Sequence, residues 1–419
     1  MKKNIFLIFL FLQSVFDLNA QVDFIWGKQF GTDKDDKTRN LVVDSSSNIY
    51  VVGKTKGVIG KENFGKNDGF IVKIDSAANT IWSIQIGSIE DDEFTYVTVD
   101  KSGNIYATGF MGVAEKNKLT KNQDILVVKL NSDGEIIWQK QYGTDSTETA
   151  GNIVVDTNGE IYIAGSTRGV MGSESKGQDD CFILHLDNDG NQLNVLQFGT
   201  SGEDLGTGIT IGHNGKIYVS GSTTGNMAAD NLGQFDLFWG CFSKKLKQKE
   251  MKQYGTNESD HAGDIKTDYK NNIYIAGCTF GDAATKQKGK GDALIQKWDE
   301  NGELIWQEQF GTSNWDGTHS ITIIQDKGIL ISGCYDFPLC KSFVKMYDEQ
   351  GSLLWNRNMI GQGKGGGSCG KDLCVDRKGT IYHAGYTGSN LFSELKGEHD
   401  LFIVKLKADI NFCPTHKIN

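Results

Sequence analysis

Short runs of β-branched and aromatic residues, separated by polar turn residues, recur along most of the chain. One unit holds four such runs, at 94–100, 104–110, 124–130 and 135–142, which are rich in Val, Ile, Tyr and Phe. The breaks between them, such as 101–104, contain Gly, Asn, Asp or Ser, which tolerate left-handed backbone. No stretch keeps a helical period. The pattern therefore predicts antiparallel strands joined by tight turns, with few helices.

This four-strand unit repeats with a fixed period. The glycine of the motif Q-[FYI]-G-[TS] recurs every 56 residues, and a degenerate seventh copy follows after 50. The glycines are Gly31, Gly87, Gly143, Gly199, Gly255, Gly311 and Gly361. Four strands per unit and seven units are typical of a β-propeller, whereas an open solenoid would need polar capping repeats that the sequence lacks. We therefore predict an all-β fold, a seven-bladed β-propeller with four antiparallel strands per blade.

The two ends of the repeat array predict how the ring closes. Residues 22–31 form a lone fourth strand, with Trp26 one full period before Trp82. The last repeat has its first three strands, the third at 400–406, and lacks a fourth. We expect the N-terminal strand to pair with 400–406 and complete the last blade, because closure removes exposed strand edges.

Three linked motifs point to a known family. W-x-x-Q-[FY]-G-T, D-x-x-G-N-I-Y-x-x-G and D-x-[FL]-[IV]-[VL]-K-[LI] together resemble the bacterial SBBP-type β-propeller repeat, over about residues 22–406. The resemblance implies a propeller of secreted or surface bacterial proteins, mostly without an assigned activity. Repeats four, six and seven depart from the pattern, so irregular edges or loops are expected there.

The first 20 residues differ from the repeats. Lys2 and Lys3 precede a short apolar segment at 5–12, and Ala20 provides a small residue before a cut ahead of Gln21. This is the pattern of a secretory signal peptide, too short to be a transmembrane helix. The predicted organisation is a signal peptide at 1–20, a propeller at 21–406 and a tail at 407–419, in a protein secreted to the periplasm, the cell surface or the medium.

Charge and cysteine content narrow the picture further. The formal net charge of -10 argues against nucleic acid or an anionic membrane as partner, and no later segment is apolar enough for insertion. We expect a monomer that binds a protein or a carbohydrate. All eight cysteines lie from Cys181 onward without a C-x-x-C pair. Most should be free, buried thiols, and Cys334 with Cys340, which flank one short loop, is the best candidate pair.

Two series of acids recur in phase with the repeat. With the strands of a blade labelled a to d outward from the axis, one series lies in the d–a loops and the other starts strand c. The first is Asp36, Asp92, Glu148, Asp204, Asp260 and Asp316; the second is Asp68, Asp124, Asp180, Asp236, Asp292 and Asp400. Both series are expected on the face that carries the d–a and b–c loops, which we call the top face. Their charge would make the top face negative and would favour a cationic partner.

The repeated acids allow two interpretations. Carboxylate pairs such as Asp36 with Asp68 could bind Ca²⁺, the only cofactor considered. Alternatively, each acid accepts backbone N–H bonds and fixes its own turn, the stronger interpretation for residues that recur in nearly every repeat. The calcium candidates are Asp36, Asp68, Asp92, Asp124, Asp204, Asp236, Asp260 and Asp292.

The loops and motifs favour a binding function over catalysis. The b–c loops, such as 54–67, 111–123 and 167–179, are long and divergent, whereas the turns on the opposite face are short and alike. The recurring strand-c lysines (Lys73, Lys129, Lys297, Lys345 and Lys405) should be solvated tips, and the strand-d tryptophans should pack between blades. No catalytic motif is present. The leading hypothesis is a secreted, non-catalytic binding or scaffold propeller. The rival is a lyase or glycoside hydrolase with a site at the top of the channel, for which the non-repeating His261, His319 and Asp264 are the only candidates.

Overall fold

The protein is a ring of seven antiparallel sheets. The computed structural model describes residues 22–113, 122–172, 174–362 and 366–408, and every regular element in these ranges is a β-strand. The strands form seven four-stranded sheets, and the inner strand of each sheet contacts the inner strand of the next, with the last contacting the first. This confirms the seven-bladed propeller. The predicted signal peptide at 1–20 and all but the first two residues of the predicted tail lie outside the described residues.

Each blade contains strands a to d in order from the axis. The innermost strands, a, are β2 (Asp36–Val43), β6 (Glu93–Val99), β10 (Glu148–Val155), β14 (Asp204–Ile211), β18 (Asp260–Thr267), β22 (Trp315–Ile324) and β26 (Ser368–Val375). Strands b are β3 (Ile49–Thr55), β7 (Ile105–Val113), β11 (Ile161–Thr167), β15 (Ile217–Thr223), β19 (Ile273–Thr279), β23 (Gly328–Phe337) and β27 (Thr380–Thr387). Strands c are β4 (Asp68–Ile74), β8 (Asn122–Leu130), β12 (Asp180–Leu186), β16 (Asp236–Phe242), β20 (Asp292–Trp298), β24 (Lys341–Tyr347) and β28 (Asp400–Ala408). Strands d are β5 (Thr80–Ile86), β9 (Ile136–Tyr142), β13 (Gln192–Phe198), β17 (Gln248–Tyr254), β21 (Leu304–Phe310), β25 (Leu353–Met359) and β1 (Val22–Phe30). Blades 1 to 7 are numbered by their strand a, in chain order.

The ring closes as the sequence predicts. β1 pairs antiparallel with β28, with Phe24 opposite Leu406 and Gly27 opposite Val404. Blade 7 therefore combines the first strand of the chain with the last three. The edge that β28 would otherwise expose is covered.

The hydrophobic core lies between neighbouring blades. Strands b and c are almost wholly buried, since both of their faces are covered, whereas strands d are partly exposed. One cluster joins Ile71 of blade 1 to Phe94 and Leu126 of blade 2. This explains why the apolar runs of strands b and c do not alternate with polar residues. No described residue belongs to a helix long and apolar enough to cross a membrane.

Repeated lysines and tryptophans join four of the blades to the blade that follows. Lys73 Nζ and Trp82 Nε1 both donate to the carbonyl of Ser132, in the c–d turn of the following blade, at 2.7 and 3.2 Å. Blades 2, 5 and 7 repeat the arrangement. Lys73 is 8% exposed, and its ammonium lies 5.3 Å from the centre of the Tyr50 ring. The prediction that these lysines are solvated tips is therefore wrong, while the packing of tryptophans between blades is confirmed.

Blade 6 departs from the other blades, as its sequence predicts. Its strands β22 and β23 are ten residues long, and their pairing contains two irregularities instead of one. At its junction with blade 7, Lys341 and Ser368 replace the acids that start strand c and strand a elsewhere. The backbone bond between the blades is kept, since the Ser368 N–H donates to the carbonyl of Cys340 at 2.7 Å as the Asp36 N–H does to that of His399. The junction between blades 6 and 7 thus lacks the acid pair found at the other six.

Candidate functional site

A β-bulge near the start of every strand a brings one residue per blade to the axis. In each a–b pair, one residue of strand a has no partner, so that the strand bends and redirects that side chain. The seven bulged residues are Arg39, Thr95, Gly151, Thr207, Gly263, His319 and Lys371. All seven line one cavity of about 360 Å³ at the top of the central channel, which we call the channel mouth.

The channel mouth breaks the symmetry of the ring. Blades 6, 7 and 1, which are neighbours, contribute His319, Lys371 and Arg39. At the bulge position the four remaining blades contribute only threonine or glycine, although Tyr96 and Phe110 of blade 2 also line the cavity. The basic side chains of the mouth therefore lie on one side of it. The sequence pattern points to His319 but not to Arg39 or Lys371.

Arg39 is fixed by an acid on the next blade. Its guanidinium forms an ion pair with Glu93, which is 2% exposed, and Lys54 Nζ approaches the other oxygen of Glu93 at 3.1 Å. Lys371 Nζ lies 5.7 Å from the centre of the Tyr386 ring, and it makes no ion pair with a described residue. Two cations face one acid at Glu93, and Lys371 adds further positive charge. The mouth is therefore a basic site in an acidic protein.

His319 is a neutral member of the mouth. Burial, with a smaller contribution from Lys371, lowers the pKa of His319 to about 4. Its Nδ1 lies 2.7 Å from the carbonyl oxygen of Gly370. Because a carbonyl only accepts, Nδ1 carries the proton and Nε2 retains its lone pair.

An aromatic side pocket adjoins the mouth. It has a volume of about 390 Å³ and shares Gly263 and His319 with the mouth. Its wall includes Phe280, Trp315 and the second histidine candidate, His261. The His261 ring packs 4.9 Å from that of Phe235, and burial lowers its pKa. His261 thus belongs to the apolar side of the site.

Below the mouth, polar side chains close the channel. This neck surrounds a cavity of about 190 Å³ and includes Asp264 and Asp372. Asp372 Oδ2 accepts from Asn40 Nδ2 and, at 3.0 Å, from the N–H of Leu41 on the next blade. Asp264 Oδ2 likewise accepts from the Ile321 N–H at 3.3 Å, and its carboxylate pairs with Lys266 Nζ at 2.7 Å. The predicted candidate Asp264 therefore joins blades at the axis, beneath the mouth.

Burial dominates the electrostatics of the neck. It raises the pKa of Asp372 to about 7, and the nearby Asp264 carboxylate adds to the rise. Burial, followed by Asp264 and Asp372, also raises the pKa of Tyr96 well above its ordinary value. Tyr96 is therefore an unsuitable catalytic base, because its phenolate is disfavoured.

The repeated acids do come together, but across blades. A Cβ on Gly31 would stand 2.8 Å from a carboxylate oxygen of both Asp36 and Asp400. The predicted pairing of Asp36 with Asp68 is wrong, because strand c of each blade meets strand a of the next. The junction pairs are Asp400 with Asp36, Asp68 with Asp92, Asp124 with Glu148, Asp180 with Asp204, Asp236 with Asp260 and Asp292 with Asp316. The motif glycine is required because any side chain there would collide with the carboxylates.

Each acid pair holds its loops by hydrogen bonds. Asp36 accepts from the N–H and hydroxyl of Thr32 and from the hydroxyl of Thr55. Asp68 Oδ2 accepts from Gln85 Nε2 and the Phe64 N–H, both at 2.7 Å. Burial raises the pKa of Asp36, the neighbouring carboxylate adds to the rise, and the donors oppose it. The acids therefore fix the loops, as the second interpretation predicts.

The acid rings are buried in the blade junctions. Asp36, Asp68, Asp92 and their equivalents in blades 4 and 5 are at most 1% exposed. Calcium binding stays a prediction for these acids; a junction offers two carboxylates, whereas Ca²⁺ takes six to eight oxygens. The expected preference of this face for a cationic partner also stays a prediction, and the channel mouth adds a basic site to the same face.

The b–c loops are pinned at repeated points. Gln85 of strand d accepts the N–H groups of Ile59 and Gly60 and donates to the carbonyl of Gly57. Gln29, Gln197, Gln253 and Gln309 do the same in their blades. The loops vary in sequence on a shared backbone frame, and they stand around the mouth.

Comparisons with known proteins agree with this architecture. Residues 25–60 match the family described as SBBP, beta-propeller repeat. The regulatory protein FlaEY of Caulobacter vibrioides is 22% identical over 404 residues, covering 90% of this chain and 38% of its own length. The chain thus spans under two fifths of that curated relative.

Solved structures show the same fold. The WD40 domain of Neurospora crassa Pan2 matches with a TM-score of 0.54 at 12% identity, covering 92% of this chain and 96% of that one. A polysaccharide lyase, the PL25 ulvan lyase, matches with a TM-score of 0.51 at 13% identity, covering 89% and 95%. At such identities the likeness shows the fold alone. This chain is therefore a seven-bladed β-propeller, and its residues 25–60 match the SBBP β-propeller repeat.

Proposed function

We propose that this protein is a non-catalytic binding propeller, exported from the cytoplasm, that holds an anionic ligand of sugar-acid size in the channel mouth. The proposal is supported above all by the unequal distribution of basic side chains among the seven bulged residues. At this position Arg39, His319 and Lys371 stand on three neighbouring blades, whereas the other four blades place threonine or glycine there.

The chemistry of the mouth fits a carboxylate or sulfate group. Arg39 presents a guanidinium already oriented by Glu93, and Lys371 presents an ammonium without an ion-pair partner among the described residues. Such donors form strong, charge-assisted bonds with carboxylate or sulfate oxygens. In a chain of net charge -10, this wall gives an anion a specific place to bind.

The size and the aromatic side pocket favour a carbohydrate. A volume of about 360 Å³ is that of a small-ligand site. Trp315 and Phe280 line the adjoining pocket, where the apolar face of a sugar ring can pack. A uronic acid residue combines both properties, with a carboxylate for the basic wall and a ring for the aromatic one.

The calorimetric test uses trigalacturonate as the acidic probe and maltotriose as its neutral counterpart. We expect binding of the acidic probe alone, weakened by salt because the attraction is electrostatic. Replacing Arg39→Gln and Lys371→Gln should each weaken binding about tenfold or more, because each removes a charged hydrogen-bond donor. Lys101→Gln, at an exposed turn on the opposite face, is the matched control. Unchanged affinity in both mouth variants, or equal binding of the neutral probe, would overturn the proposal.

Catalysis is the rival function, because the ulvan lyase shows that such a ring can carry a lyase. The acids near the axis oppose hydrolysis here, since Asp264, Asp372 and Glu93 are each bound to backbone N–H groups or basic side chains. We therefore expect neither unsaturated products by ultraviolet absorbance nor new reducing ends from polyuronates. The curated relative is named a regulatory protein, which is compatible with a non-catalytic role.

A further inference from the structure

A cluster of three cysteines and one histidine lies at the junction of blades 6 and 7. Cys334 and Cys340 belong to blade 6, Cys369 starts blade 7, and His319 is the bulged residue of β22. The three cysteines are at most 7% exposed and pack together beneath Trp315 and Tyr386. The sequence predicts that Cys334 and Cys340 lie together, but it does not predict that Cys369 and His319 lie beside them.

The distances are those of a metal-binding cluster. The sulfur atoms of Cys334 and Cys369 lie 3.4 Å apart, and a ring nitrogen of His319 and both sulfurs lie within 4.8 Å of one another. Cys340 packs in the same buried cluster as the other two cysteines. In a tetrahedral zinc site with metal–sulfur bonds of about 2.3 Å, ligand atoms are roughly 3.5–4 Å apart. Cys334, Cys369 and His319 are close to that spacing, and Cys340 is the nearby thiol that can supply the fourth ligand.

The surroundings prepare the ligands. His319 Nδ1–H donates to the carbonyl oxygen of Gly370, so Nε2 is unprotonated and can coordinate a metal ion. Cys334 and Cys369 already lie in thiol-to-thiol contact, and their thiolates are the forms that bind metal ions.

Disulfide formation accounts for the cluster less well. The described cysteines are all free thiols, so the predicted Cys334–Cys340 disulfide is absent from the structure. One disulfide would use two of the three sulfurs and leave the third beside an unprotonated histidine nitrogen. A single metal ion uses all four groups.

We propose that Cys334, Cys340, Cys369 and His319 bind one zinc-class metal ion, which joins blade 6 to blade 7. The site stands at the one junction where Lys341 and Ser368 replace the acid pair. Gly317 lies opposite Cys334 in the strand pairing, and the Trp315 ring packs against it. This inference does not rest on the proposed anion binding: His319 lines the mouth, but the three cysteines do not, and metal uptake is measured without the anion.

The first test measures the uptake of Zn²⁺ by the full chain after reduction. We expect about one zinc per chain by elemental analysis, and Co²⁺ in its place should give intense thiolate-to-metal absorption bands. Cys334→Ser and Cys369→Ser should abolish stoichiometric uptake. The matched control is Cys278→Ser, because Cys278 is a buried cysteine at the same strand position in blade 5. Equal uptake by Cys334→Ser and the wild type, or no uptake by the wild type, would overturn the proposal.

A second measurement avoids variants that fail to fold. The native wild type is treated with a thiol-alkylating reagent with and without Zn²⁺, digested and weighed by mass spectrometry. We expect zinc to protect Cys334, Cys340 and Cys369 while leaving the labelling of Cys278 unchanged. Zinc should also raise the thermal midpoint, because an ion that binds only the native state stabilises it. Equal labelling of the three cysteines with and without zinc, or their recovery as a disulfide from reduced protein, would contradict the site.

Discussion

Replacing Asp372 by asparagine tests the electrostatics of the channel neck. Asp372 is 7% exposed, and burial together with Asp264 raises its pKa to about 7. In the unfolded chain the same carboxyl has a pKa of about 3.9. An asparagine cannot ionise, and its amide oxygen can still accept the bond from the Leu41 N–H.

The size of the effect follows from proton linkage. Between about pH 4 and pH 7 the native state holds a proton on Asp372 that the unfolded state has released, so the free energy of unfolding falls as pH rises. The slope is about 1.4 kcal/mol per pH unit when protonation differs fully between the two states. From about pH 5 to about pH 8, the wild type should lose about 2.5 kcal/mol through this group. Asp372→Asn should lack that loss.

The assay is equilibrium unfolding in urea at both pH values, for the wild type and Asp372→Asn. Between about pH 5 and about pH 8, the decrease in the free energy of unfolding should be about 2.5 kcal/mol smaller in the variant than in the wild type. Asp187→Asn is the control, because hydrogen bonds from Asn191 and Asp189 lower the pKa of Asp187, so its contribution is lost only under acidic conditions. If Asp372→Asn keeps the full wild-type dependence between these pH values, the carboxyl is not the titrating group and the reasoning fails.

Four further predictions concern the ring. Gly87→Ala should cost at least about 2 kcal/mol of unfolding free energy, because its Cβ would stand 2.1 Å from Asp68 Oδ1; Gly366→Ala, with open surroundings, should cost little. Lys73→Met should cost about 1–2 kcal/mol through the lost bond to Ser132, and an equal loss in Lys101→Met would contradict this role. Deleting 22–30 should lower the thermal midpoint and cause association by size-exclusion chromatography, both reversed by a synthetic 22–30 peptide. Calcium should leave the midpoint of the zinc-free protein unchanged, and a rise with calcium would assign the acid junctions as sites.

The repeat made most of the fold predictable. The fixed spacing from Gly31 to Gly311 set the number of blades, and the unpartnered strand at each end set the closure. These features follow from local patterns: strand length, turn residues and period. The burial of Lys73 was missed because its partner, the carbonyl of Ser132, belongs to the next repeat, and no local pattern shows which surface the next blade covers.

The candidate site was less predictable, for a related reason. Arg39 and Lys371 reach the mouth only because a bulge turns one residue of each strand a toward the axis, and alternation along a strand cannot show where a bulge falls. The residues on either side of this position also vary between repeats, so an alignment of the repeats would not have singled it out. The acid pairs and the cysteine cluster were misassigned because each forms between blades, as with Cys334 and Cys369.

Closure of the ring by β1 has a consequence for the order of folding. Gln29 and Asp400, which bond across the closing sheet, are 371 residues apart along the chain. Neighbouring strands within a blade can pair as soon as they emerge, but β1 has no partner until β28 exists. Contacts so distant in sequence form slowly, because a long loop must be ordered first. The N-terminal strand should therefore be the last to gain amide protection in pulsed hydrogen exchange, and the half-built ring should be the species most dependent on chaperones.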